Sequence, residues 1–321
     1  MGRSRGRRAR TTSPASVAAT GLLLAPVAAG ALLTGSSLVE LLHRTGTVLG
    51  YVGILGTSGL VLFRELLLDR AASSVRRHAL RPTALLAGVA LLGLLLHLAA
   101  DGAWRTGAGP ADLVDPEVLW DTVVGTPVGP AAGVAVVGLL LALGRGHTVA
   151  GRVLVCGGAV LALLCLPLTG HTRSVGPAWL VVGSDTLHVL AGALWFGGLL
   201  GLVLTLRRSV PADAAARTVV RFSTTAAGLV AAVAVTGTLL AWRILPDAGA
   251  LVRTGYGRTL VAKVAVVALV VAIAAWNRFR LVPRAADTAA HRTLRRTVAA
   301  EAALVLLALA VTGVLVSQSP M

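Results

Sequence analysis

Nine stretches of roughly 20 apolar residues, the length that crosses a bilayer as a helix, follow one another along this chain, at about 15–34, 46–68, 83–100, 125–144, 153–170, 179–206, 222–242, 259–277 and 301–317. A chain so divided cannot hide its apolar surface in one soluble core, and the mean hydropathy of +0.83 agrees. The fourth stretch is the weakest because it opens on Pro127 and Pro130, but no charge falls between Asp121 and Arg145, and it is read as spanning. Aromatic residues make up only 4% while 37 glycines accompany Ala, Leu and Val. That usage suits helices packed closely in lipid and disfavours a barrel. The expected fold class is all-α: a polytopic transmembrane helix bundle of about nine spanning helices.

The net charge of +16 would suggest nucleic acid in a soluble protein, but here position along the chain decides. With the N-terminus inside, 22 of the 29 Lys and Arg residues fall on one side, including the tail MGRSRGRRAR and the loops near 69–82, 145–152, 207–221 and 278–297. This is the bias of the positive-inside rule, so the topology is N-in and C-out, the lipid bilayer is the partner, and no nucleic acid is expected. Residues 1–14 are read as a basic cytoplasmic tail and 15–321 as a single transmembrane domain. The run after the tail is long for a signal peptide and is taken as an uncleaved first helix. The outer connection Asp101–Pro127 holds Asp101, Asp112, Asp115, Glu117 and Asp121 against Arg105. It is either a vestibule that attracts cations or an outer loop that simply lacks positive charge. A faint parallel duplication of four helices pairs His43…Gly53 with His188…Gly198, Thr122-x-x-Gly125 with Thr254-x-x-Gly257, and Thr169-Gly170 with Thr312-Gly313. Cys156 and Cys165, nine apart in one apolar run, point to different helix faces and cannot pair with each other.

Given this topology, His78, His147 and His291 lie in basic inner loops, whereas His43, His97, His171 and His188 all fall in the outer half of the membrane. Imidazole is the commonest metal ligand near neutral pH, and ionisable groups in spanning segments usually face a cavity. The four are therefore candidate metal ligands. Asp185 is one turn outward of His188 on the same face, placed to fix its tautomer. Trp195, seven residues further in, could floor the site, and Cys165 is a candidate soft ligand. Met1 and Met321 are the only methionines, so there is no thioether ladder.

Several short motifs occur in order: Gly170-His171; Asp185-x-x-His188 with Ala191, Trp195 and Gly197-Gly198; Arg221-Phe222-Ser223; Thr236-Gly237; Tyr256-Gly257-Arg258-x-Leu260-x-x-Lys263; and Asn277-Arg278. In this order the chain resembles the copper resistance protein D family of bacterial inner-membrane proteins, closely over about 160–280 and more loosely before. The resemblance implies a non-enzymatic membrane protein of the bacterial cytoplasmic (inner) membrane. Copper ion is then the expected metal, handled in transport, with uptake the favoured direction, or in tolerance. A periplasmic or extracytoplasmic copper chaperone is a further candidate partner. Two other readings of the same histidines are a haem-binding electron-transfer protein and a non-transporting factor that delivers copper to a respiratory oxidase.

Overall fold

The structure, a computed structural model, describes residues 37–69, 71–169, 176–207, 210–284 and 288–318. Among them every regular element is a helix: α1 (Leu38–Leu62), α2 (Ser73–His78), α3 (Leu80–Thr106), α4 (Pro116–Val124), α5 (Val128–Ala142), α6 (Val149–Thr169), α7 (Ala178–Arg207), α8 (Ala212–Ile244), α9 (Ala250–Arg253), α10 (Gly255–Trp276) and α11 (Thr288–Val316). Among the described residues seven helices are long and apolar enough to cross a membrane, and the bent pair α4–α5 makes up to eight. The stretch 15–34, expected as a first helix, lies outside the described residues.

The bundle is built around α1. Buried positions make up 89% of its most apolar window, against 6% for α8 and for α10, whose flanks are left to lipid. Small residues make this possible, because helices in lipid associate mainly by close packing. A methyl group at Gly53 would overlap the Ala90 backbone, and one at Gly93 would overlap Gly50, so α1 and α3 touch backbone to backbone. At the other flank Gly59 lies against the Ala193 carbonyl of α7 and Gly197 against Gly59. On a third side Gly313 of α11 seats Val48.

Two boundaries differ from the hydropathy reading, and both matter for the site. α1 begins at Leu38, about two turns before residue 46, because the Ser37 side chain accepts from the Glu40 N–H and caps it. α3 continues to Thr106 rather than 100 and stops at Gly107, whose φ of 67° is left-handed and favours glycine. The outer connection is therefore not all loop. It holds the last turns of α3, a 3-10 turn over Pro110–Val114, and α4.

α4 and α5 meet at 72°. Pro127 supplies no N–H at the break, and Thr126 replaces part of the lost ladder: its hydroxyl donates to Thr122 O (2.7 Å) and accepts from Val128 N (3.2 Å). In the suspected duplication, Thr254 caps α10 by accepting from Gly257 N, whereas Thr122 sits inside α4 and donates to Val118 O.

Candidate metal centre

The longer α1 and α3 bring together three side chains at the end of the bundle where α1 begins and α3 ends. His43 is on the second turn of α1; His97 and Asp101 stand four apart, on one face of α3. One ligand atom from each of His43, His97 and Asp101 lies within 4.8 Å of the others. His43 and Asp101 are 4% and 5% exposed. The imidazole centroids are 4.7 Å apart, and His43 Nε2 is 3.6 Å from Asp101 Oδ1.

Hydrogen bonds decide which nitrogens can bind a cation. The Thr47 hydroxyl donates to the His43 carbonyl at 2.8 Å, so its oxygen is left to accept from His97 Nδ1 at 3.2 Å. That holds His97 in the Nδ1–H tautomer with the Nε2 lone pair available. His43 Nδ1 is buried without a hydrogen-bond partner, a costly state for an isolated polar atom that a bound cation would relieve. Trp104 stacks flat on His43, with 4.2 Å between centroids and 6° between planes, which fixes the imidazole plane. Arg105 Nε lies 2.8 Å from Asp101 Oδ2 and, with its side chain 43% exposed, balances the carboxylate from the water side. Two imidazoles and a carboxylate form a borderline-to-hard donor set of the kind that takes divalent transition ions.

This geometry makes Thr47 an orienting residue. Thr47→Val keeps the shape of the side chain and removes the hydroxyl, and metal affinity is expected to fall roughly 10–100-fold, the scale of such supporting contacts. Thr47→Ser should restore it. A chelator-competition titration reads the difference, and unchanged affinity in Thr47→Val would show that His97 needs no such support.

The other expected site residues lie elsewhere. His188 on α7 places Nδ1 3.0 Å from Thr236 Oγ1 on α8; that hydroxyl donates to Ala232 O, so the imidazole again donates from Nδ1. Gly237 leaves room for its ring. Asp185 is within electrostatic reach of Tyr51, Tyr256 and Lys263, so it belongs to a polar group between α1, α7 and α10. Trp195 is 4% exposed and lines a cavity of about 310 Å³ beside Glu301. Cys165 lines a small cavity of about 60 Å³ that His97 also lines. His171 lies outside the described residues.

Sequence reasoning places Asp101 only in an acidic loop; the signal that identifies it is His97-x-x-x-Asp101, an i,i+4 pair that faces one way only if α3 continues. Asp112 and Asp115 of that loop instead accept backbone N–H groups, Asp112 from Gly109 and Asp115 from Glu117 and Val118. A second polar group sits between the end of α10 and α11. Asn277 donates to Glu301 and accepts from Thr297 Oγ1 at 2.6 Å, while Arg278 donates to the Ser223 carbonyl, joining two of the quoted motifs. At the end of the bundle opposite the cluster, Arg217 beside Asp69 holds that carboxyl below the usual carboxylate range.

A bundle of apolar helices around a buried imidazole–carboxylate cluster defines a multi-pass membrane protein with an ionisable site at one end of its central helix. The profile for copper resistance protein D matches residues 216–315, and that for the copper resistance protein D-like N-terminal domain matches residues 27–176. The chain belongs to the copper resistance protein D family, whose members are membrane proteins tied to copper resistance or copper transport. Neither a curated protein nor a solved structure matches it.

Proposed function

We propose that the protein captures copper at its outer face on His43, His97 and Asp101 and carries it into the cell across the cytoplasmic membrane, binding and moving the ion rather than converting a substrate. The observation that supports this most is the convergence of one ligand atom from each of His43, His97 and Asp101 within 4.8 Å, with His97 Nε2 freed by Thr47. Membership of a copper-related family supplies the metal. The bias of basic residues toward the opposite side supports an outer position for the cluster, where a copper chaperone outside the membrane would deliver its ion.

The test is copper retained by protein purified in detergent, loaded with the metal and dialysed. Wild type and His188→Ala should hold it, while His43→Ala and His97→Ala should fall to background with unchanged helix content. Wild-type copper in the His43→Ala, His97→Ala double variant would overturn the assignment. Loss in His188→Ala alone would move the site to α7.

A further inference from the structure

Below the outer cluster, α1 carries a stripe of polar side chains that reaches well beyond the metal centre: Thr47, Tyr51 and Ser58 are separated by four and seven residues, a spacing that keeps them near one face of a helix. Glu65 follows in the π-helical turn Phe63–Leu67 that continues α1. α6 lies along this face at both ends. Near the outer end, Tyr51, Cys165 and Thr169 line the same cavity of about 60 Å³ as His97 and Thr47, and Cys165 is within electrostatic reach of Tyr51. At the inner end, Arg152 of α6 donates to the Glu65 carbonyl at 2.5 Å. Glu65 there lines an inner vestibule of about 670 Å³ with Asp69, Arg76 and Arg221.

Ser58 is the informative member. It is 0% exposed, and its hydroxyl has no hydrogen-bond partner, as is true of neighbouring Thr57. A buried helical hydroxyl normally donates to the carbonyl four residues back, as Thr47 and Thr205 do here. An oxygen left open at mid-depth of the most buried helix carries a penalty that alanine would avoid, and polar groups so placed mark ion pathways.

We propose that copper leaves the outer cluster along this stripe of α1, from His97 into the small cavity, to the Cys165 thiol opposite Tyr51, past Ser58, and out by Glu65. The proposal rests on the copper reading above. Such a route requires successive donors in place of water, and the residues along it offer imidazole (His97), thiol (Cys165), hydroxyl (Ser58) and carboxylate (Glu65) in that order. The route is closed between the small cavity near His97 and the vestibule at Glu65. Ile54 and Leu55, 0% and 4% exposed, fill the space between Tyr51 and Ser58. Arg64, Arg76 and Arg152 surround the Glu65 carboxylate at 2.7, 3.1 and 3.5 Å, so the inner end must shed guanidinium contacts before an ion can pass.

Two measurements test this. In sealed vesicles holding the whole protein, Ser58→Leu should abolish copper uptake while leaving copper bound at the outer cluster, and Ser58→Ala, which fits any fold that holds serine, should slow uptake in the same direction. Uptake at the wild-type rate in both would overturn the route. In X-ray absorption of the protein loaded with copper under reducing conditions, a sulfur neighbour should be seen in wild type and Cys156→Ser and lost in Cys165→Ser; sulfur retained in Cys165→Ser removes Cys165 from the path. Wild-type vesicles that bind copper without taking it up overturn the route alone, whereas wild-type protein that binds none overturns the copper reading itself.

Discussion

Gly59→Leu is expected to leave no folded protein in detergent: size-exclusion should show only aggregate, and no cooperative thermal transition should remain. Overpacking a core typically costs about 1–3 kcal/mol when side chains can move aside. Here the obstacle is backbone, because a Cβ at Gly59 would overlap the Ala193 carbonyl and Gly197 of α7. Relief means parting α1 from α7 along their length, and α1 is the most buried of the spanning helices. Gly88→Leu on α3 is the matched control and should fold as wild type, since a Cβ added at Gly88 would meet nothing within 4 Å. A folded Gly59→Leu protein would show that α1 is not the packing hub.

Asp101→Ala is expected to produce the largest loss of copper affinity of any single change outside the imidazoles. Arg105, with 43% of its side chain exposed, keeps water as a partner when the carboxylate is removed, so the loss falls on the metal. Asp101 supplies the anionic donor of the cluster. Affinity should drop roughly a hundredfold or more, beyond the 10–100-fold scale of a supporting contact, read by competition against a chelator of known strength. Asp112→Asn and Asp115→Asn, which alter turn and cap contacts only, should bind copper as wild type does. Equal losses in all three would restore the view of a diffuse acidic vestibule and end the special role of Asp101.

The all-helical, multi-pass character was legible because roughly 20-residue apolar runs leave few alternatives in a chain of this hydropathy. Family membership was legible in the ordered motifs from Gly170 to Arg278, and two of those motifs meet where Arg278 reaches Ser223. What hydropathy could not mark was where helices end in water. A window stops at the first charges, but the backbone ladder of α3 continues to a left-handed glycine at 107, and those extra residues hold Asp101, Trp104 and Arg105. His43 and His97 were legible as candidates by their depth, yet their pairing depended on Gly46, Gly50 and Gly93 drawing α1 onto α3, a contact between segments far apart in sequence. The partner of His188 was hidden for the same reason, since Thr236 lies 48 residues away on another helix.

The bend between α4 and α5 sets a requirement on the surrounding lipid. α5 has 15 residues, about 22 Å at the α-helical rise, against a hydrocarbon thickness of about 30 Å. A spanning segment shorter than that layer is accommodated by thinning of the bilayer beside it, and α5 lines the small cavity that His97 also lines. Acyl-chain length then becomes a determinant of how readily an ion in water reaches the cluster: short-chain membranes match this flank without deformation, and long-chain membranes resist the thinning.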